Sequence, residues 1–253
     1  MKVAALQFDI AWEDRQENYR RVSVFAEQAK AEGADLFILP EMFATGFSMN
    51  PSVTAEQAGG ETATFMRSIA QKHRMGVIGG FVIAAKGGKG HNVALAIDRE
   101  GRDLASYSKT HLFSFLDEEK FHEPGDGPVP FEFEGVRCAC YVCFDLRFPE
   151  LFRLTADSCD AVFVVASWPN GRQLHWDTLL PARAVENQQY IVGVNRVGQG
   201  GGHQFDGGSA IYDPFGLPLA RGEDSECMLM ADIDPAKVSE IRSSMPFLED
   251  RRF

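Results

Sequence analysis

Short apolar runs recur along this chain, each cut off by a glycine, a proline or a charged residue, and they alternate at first with stretches of helical period. This alternation narrows the possible folds more than any other feature. Val3–Ile10 opens the series as a strand. Asn18–Ala31 follows with Val22, Phe25, Ala26 and Ala29 on one helical face, and Gly33 ends it. Leu36–Leu39 predicts a short buried strand stopped by Pro40, and Thr62–Arg74 a second helix. Gly76–Ala84, Asn92–Ile97 and Leu104–Tyr107 read as strands. Val136–Val142 alternates Val136, Cys138, Cys140 and Val142 against Arg137, Ala139 and Tyr141. A helix is expected from about Pro149, a buried strand over Ala161–Ala166 and a helix over Trp176–Gln188. Tyr190–Val194, Ser209–Tyr212, Leu217–Ala220 and Cys227–Ile233 read as strands, and Pro235–Arg242 opens a last helix on its first-turn proline. Helices between strands early and hairpin-like strands late predict a mixed, layered α/β fold.

The 253 residues are 45% hydrophobic, enough for a sizeable core. No repeat and no long Pro/Ser/Gly linker divides them, so one domain over 1–253 is expected. The glycine-rich pieces Gly87–Gly90 and Gly198–Gly208 read as surface loops. Lys and Arg total 25 against 36 Asp and Glu, a net charge of −11. So acidic a chain gains little from neutralising phosphates, and no nucleic-acid partner is expected. No apolar run approaches the roughly 20 residues of a membrane span, and the start shows no leader-like apolar stretch. Five cysteines, an odd count in a chain this long, argue against a disulfide scaffold. A reduced, cytoplasmic protein is the expectation.

In open α/β sheets, ligands collect beyond the carboxyl ends of strands. Just past Leu36–Leu39 comes Glu41, just past Leu104–Tyr107 comes Lys109, and just past Val136–Val142 comes Cys143. A carboxylate, an ammonium and a thiol are thus expected on one edge of one sheet. These are the ingredients of thiol-based acyl chemistry, in which a base or cation must help generate the thiolate. Strand ends also carry Glu and Lys for solubility alone. Cys143 sits where a strand gives way to a helical start, and backbone N–H groups at such a turn can stabilise an oxyanion. The other cysteines, Cys138, Cys140, Cys159 and Cys227, read as small buried hydrophobes.

LPEMF (39–43), YSKTHLF (107–113) and CFDLRFPEL (143–151) resemble the three signature segments of the nitrilase superfamily, the carbon–nitrogen hydrolases. The resemblance runs from VAALQFD at the start to FLEDRRF at the end. ASWPNGRQLHWDTLLPARAVENQQYIVGVNRVG (166–198) is most similar to the omega-amidase-like branch, which hydrolyses the terminal amide of small dicarboxylic monoamides such as 2-oxoglutaramate. The resemblance implies a four-layer αββα sandwich that dimerises through a helical face. It implies Glu41 as general base and acid, Lys109 as the cation and Cys143 as nucleophile, with no metal or organic cofactor. A second glutamate of the family falls in FSFLDEEKFHEPGD, where Glu118 and Glu119 compete, and counting back seven from Gly125 favours Glu118. The oxyanion then falls to Lys109 and the backbone N–H of Phe144.

A dicarboxylic monoamide brings a carboxylate, which a chain of net charge −11 can hold only with a local cation. Arg147, Arg172, Arg183 and Arg196 are the candidates. Arg147 and Arg183 read as structural, paired with carboxylates such as Glu150 or Glu186, which leaves Arg172 for the substrate. Phe43, Phe113 and Trp168 are expected to wall the pocket, although core packing explains each singly as well. His111 is expected to order the loop after Lys109. A nitrilase or an N-carbamoyl hydrolase with the same triad is the alternative within the enzymes. A metal module from Cys138-x-Cys140-x-x-Cys143 is remote, because zinc sites want a fourth ligand and paired knuckles. A nucleotide site in GQGGGHQFDGG (198–208) fails because that loop joins two strands rather than opening a helix.

Overall fold

The structure, a computed structural model, describes residues 1–252; Phe253, the last residue of FLEDRRF, lies outside them. The N-terminal half builds one sheet from β1 (Lys2–Gln7), β2 (Leu36–Ile38), β3 (Ala55–Glu56), β4 (Gly76–Ala84), β5 (Gly90–Ile97) and β6 (Asp103–Ser108). Helices α1 (Arg15–Ala31), α2 (Pro51–Thr54) and α3 (Glu61–His73) connect its first strands, and α4 (Glu118–Phe121) follows its last. Helix α1 starts three residues before the expected Asn18, because Asp14 accepts from the Glu17 N–H and caps it. Glu56 does the same for α3 through the N–H groups of Thr62 and Ala63.

The second sheet takes β7 (Phe131–Phe133), β8 (Val136–Val142), β9 (Ala161–Val165) and β10 (Tyr190–Val194), with α5 (Pro149–Thr155) and α6 (Gln173–Asn187) between them. A separate hairpin, β11 (Val197–Gly200) and β12 (His203–Asp206), comes next. Strands β13 (Ala210–Tyr212) and β14 (Pro218–Arg221) complete the second sheet. Strand β15 (Cys227–Asp232) returns to pair antiparallel with β1 before α7 (Pro235–Ser244). The sheet orders are β15-β1-β2-β4-β5-β6, with β3 on β4, and β14-β13-β10-β9-β8-β7.

Strand β1 shows how the layers form. Val3 and Ala5 enter a core with Leu36, Ile38, Tyr107 and Tyr141, drawn from both sheets. Ala4 and Leu6 face the other way, into a cluster with Val22 and Ala26 of α1 and Met66 and Ile69 of α3. A strand buried on both faces reads as a continuous apolar run, which is how VAAL reads. Helix α6 packs its Trp176 and Leu180 onto the outer face of the second sheet. The result is the expected αββα sandwich.

The glycine-rich stretch 198–208 corrects the sequence expectation. It is largely the hairpin β11–β12 rather than an unstructured loop, turning at Gly201 and Gly202, which both have positive φ. Its alternation is hidden because every second position is glycine or polar. Among the described residues no helix is long and apolar enough to cross a membrane.

Candidate active site

Strands β2 and β4 run parallel, and β4, β5 and β6 pair antiparallel in turn, so β2 and β6 end on the same edge. Glu41 and Lys109 follow those two ends. Cys143 follows β8, which belongs to the second sheet. The three groups therefore meet at the edge shared by two facing sheets, not on one sheet as the strand-end reading expected. That reading had no way to divide the strands between sheets.

The backbone is arranged for this meeting. Gly80 on β4 lies against the Glu41 segment, where an added Cβ would stand 2.6 Å from the Glu41 Cα. Its N–H donates to Pro40 O at 3.1 Å, and its carbonyl accepts from Phe43 N at 3.1 Å. Three of the seven described non-glycine residues with positive φ lie here: Cys143 itself, Met42 after Glu41 and Asp117 before Glu118. Such backbone is costly for an L-residue and persists only where surrounding contacts impose it. Here the buried Asp145 carboxylate holds the Cys143 turn. It accepts from Val142 N at 3.1 Å, His111 N at 2.9 Å and Tyr107 Oη at 2.8 Å. His111 Nδ1 lies 3.0 Å from the same carboxylate, and its ring stacks on Phe148, so it orders the loop after Lys109 as expected.

Lys109 is buried between two buried carboxylates. Its Nζ donates to Glu118 Oε2 at 2.8 Å and Oε1 at 2.9 Å, and to Glu41 Oε1 at 3.3 Å. Asn92, at the start of β5, donates to Glu41 Oε1 at 2.7 Å and Glu118 Oε1 at 3.3 Å, bridging the two. Ser167 N donates to Glu41 Oε2 at 2.8 Å, and Phe113 N to Glu118 Oε2 at 2.6 Å. Of the two competing glutamates, Glu118 enters this cluster, while Glu119 is exposed.

Burial opposes charge on Lys109, but Glu118 and Glu41 outweigh it and hold the ammonium above its ordinary pKa. Burial likewise opposes charge on Glu118, yet Lys109 and the Phe113 N–H keep its carboxyl below the usual range. The Cys143 thiol is pushed well up, first by burial and then by the negative Glu41, against the weaker pull of Lys109 and the Ser167 N–H. The thiol therefore rests protonated.

Cys143 opens into a narrow pocket that also meets Lys109, Phe113, Phe144, Ser167, Trp168 and Arg172. Of the expected wall residues, Phe113 and Trp168 are there, and Phe144, expected for its backbone N–H, lines the pocket as well. Phe43 does not. It is buried on the outer face of the first sheet against Tyr19 and Phe65, because the turn at Met42 swings it away, and Phe47 reaches the pocket instead.

The arginines also sort differently. Arg183 pairs with Glu186 at 2.8 Å as expected, and it also donates to Leu146 O in the Cys143 turn. Arg196 is wholly buried and tied to Asp9 at 3.0 Å. Arg147 has no carboxylate partner among the described residues. It lies 4.7 Å over Trp168 and 5.7 Å over Phe144, and donates to His175 Nδ1 at 3.1 Å. Arg172 lies 4.9 Å over Phe113, likewise without a carboxylate partner among the described residues. Burial first and the neighbouring Arg172 charge second push Arg147 below its ordinary pKa. His203 and Phe205 of the hairpin complete the wall. Cys138 and Cys140 alternate into the core of β8, and no described group of His, Cys, Asp or Glu is placed to hold a metal ion.

A family model described as carbon-nitrogen hydrolase matches residues 2–243. The chain is 34% identical over 252 residues to the 2-oxoglutaramate amidase of Bacillus subtilis (strain 168), covering 99% of this chain and 97% of that protein. It is 33% identical over 253 residues to Omega-amidase YafV of Escherichia coli (strain K12), covering 99% and 96%. The crystal structure of XC1258 from Xanthomonas campestris, a CN-hydrolase superfamily protein with an arsenic adduct in its active site, superposes with a TM-score of 0.93 at 31% identity. It covers 100% of this chain and 97% of that one.

Proposed function

The chain belongs to the carbon–nitrogen hydrolase family, and from that premise we propose that it is an omega-amidase, cleaving the terminal amide of small dicarboxylic monoamides of the 2-oxoglutaramate kind to acid and ammonia. The observation that carries this reading is the pairing of a Cys143 floor with two pocket arginines, Arg147 and Arg172, that have no carboxylate partner among the described residues. A neutral nitrile or formamide would give such cations nothing to bind, and a substrate carboxylate gives them a partner.

In this mechanism the Cys143 sulfur attacks the amide carbonyl carbon while Glu41 takes the thiol proton. The Lys109 ammonium and the Phe144 N–H hold the oxyanion, each such donor being worth about 3 kcal/mol in comparable sites. As the carbon–nitrogen bond breaks, Glu41 returns the proton to the nitrogen, which leaves as ammonia. A water then gives its proton to Glu41 and attacks the thioester carbonyl. The carbon–sulfur bond breaks, and the proton goes back to sulfur. Glu118 stays a carboxylate throughout and keeps Lys109 charged and in place.

Residues 1–253 act as one domain, since the two sheets share one core and β15 returns from the second half to β1. The protein is cytoplasmic and forms a homodimer through α5 and α6, which leave Leu154, Leu174 and Val185 exposed. Light scattering of the purified protein tests the dimer. Ammonia release from 2-oxoglutaramate, 2-oxosuccinamate, glutaramate, succinamate, formamide and a nitrile tests the activity. Preference for the first four supports the reading, and preference for formamide or the nitrile contradicts it.

A further inference from the structure

His122 is fully buried one turn beyond Glu118, and neither ring nitrogen has a hydrogen-bond partner among the described residues. Its Nδ1 stands 3.9 Å from Glu118 Oε1. A buried imidazole with two idle nitrogens is expensive unless one of them serves something nearby. The polar side chain beside it belongs to the cluster already described. Glu118 Oε2 takes strong donors from Lys109 and Phe113. Oε1 receives Lys109 and only a long 3.3 Å contact from Asn92, so it keeps room for another donor. A ring movement of about 1 Å brings Nδ1 to hydrogen-bond distance.

We infer that His122 is a positioning residue, whose Nδ1–H tautomer donates to Glu118 Oε1 and so keeps Glu118 seated against Lys109. The inference rests on the proposed roles of Glu118 and Lys109. The charged and titratable groups around the ring are Glu118 on α4, Lys109 after β6 and His91 on β5. Burial first, with Lys109 and His91 adding to it, pushes the imidazole down to about 4 against the opposing pull of Glu118. The ring is therefore neutral at pH 7 and has one proton to place. On Nδ1 that proton faces the carboxylate, while on Nε2 it would leave two lone pairs opposed.

The sign of the expected effect follows. A donor to a carboxylate stabilises its charged form, so losing it raises the Glu118 pKa. His122→Leu should lower kcat about tenfold with KM little changed, and move the acid limb of the kcat profile up by about one pH unit. His122→Asn, which presents an amide N–H near the position of Nδ1, should recover most of both. Nitrogen-15 spectra of histidine-labelled wild-type protein read the tautomer without any substitution, and the Nδ1–H form is expected. An Nε2–H tautomer overturns the inference, as does a folded His122→Leu enzyme with wild-type kcat and pH profile. Equal loss in the Leu and Asn variants with no shift of the profile also overturns it, because packing alone would explain that result. None of these outcomes resembles failure of the triad reading, which would appear as activity surviving in Cys143→Ala.

Discussion

The floor and the mouth of the pocket are built on opposite plans. On the floor, Glu41, Lys109 and Glu118 are buried, and each is held by hydrogen bonds from elements of the sandwich. Lys109 is ion-paired with both carboxylates before any substrate arrives. At the mouth, Arg147 and Arg172 each end a short helical turn, Cys143–Arg147 and Asn170–Arg172. They lie over aromatic faces and have no carboxylate among the described residues. A pre-paired cluster can poise a proton and hold an oxyanion without rearranging. An unpaired cation at the rim can select which molecule is presented to that cluster. On the proposed roles the difference makes chemistry and selection separable, so that a substitution in one should leave the other intact.

The largest effect tests the floor. Cys143→Ala should reduce kcat by 10⁴-fold or more, on the order of losses at other covalent nucleophiles, while the other four cysteines tolerate replacement. Glu41→Gln keeps the shape and removes the proton acceptor, and should cost about 10²- to 10⁴-fold in kcat. Steady-state ammonia release measures both. If either variant instead raised KM at unchanged kcat, the division between floor and mouth would be wrong.

The next effect tests the mouth. Arg147→Met or Arg172→Met removes a charge-assisted hydrogen bond worth about 1.5–3 kcal/mol, or roughly 10- to 150-fold in kcat/KM on glutaramate. The loss should fall on KM. A variant that loses kcat with KM intact would move that arginine to the floor.

A smaller effect concerns pH. His122 belongs to the floor's burial, and its folded pKa is pushed down to about 4. The unfolded chain, with a histidine pKa near 6.5, binds that proton first. This contribution to stability is therefore present above about pH 6.5 and is lost as pH falls from there towards about 4. His122→Asn has no such proton, so its Tm should fall less steeply over that window. Equal slopes in thermal melts would mean that the imidazole is not held neutral. The smallest effect lies on the hairpin. His203 is only partly buried at the rim, so His203→Ala should change KM by less than about fivefold and leave kcat alone.

The floor was legible because strands announce themselves. Periodicity in 36–39, 104–107 and 136–142 placed Glu41, Lys109 and Cys143 at strand ends, and the resemblance of the three segments supplied their roles. What periodicity lacks is the partition of strands between sheets, so the convergence on a single sheet was wrong while the residues were those that meet. Asn92 was invisible for a related reason. A lone asparagine at the head of an apolar strand gives no signal until the antiparallel β4–β5 pairing sets it beside both glutamates. The mouth was harder. Arg147 was expected to pair with a carboxylate such as Glu150, and only the turn of Cys143–Arg147 shows its side chain lying over Trp168. Phe43 and Phe47 are four residues apart in an irregular segment, where neither helix nor strand period says which ring faces inward. His203 and Phe205 sat inside a glycine-rich stretch whose strand pattern glycine erases.

The most direct measurement compares kcat and KM of the wild-type enzyme on glutaramate and on its methyl ester, following ammonia from the amide end. The two substrates offer the floor the same amide and offer the mouth either a carboxylate or none. The account predicts that the acid wins by roughly 10- to 150-fold in kcat/KM, with nearly all of the difference in KM and kcat values within about twofold. Equal kcat/KM values, or a difference carried by kcat, would contradict it.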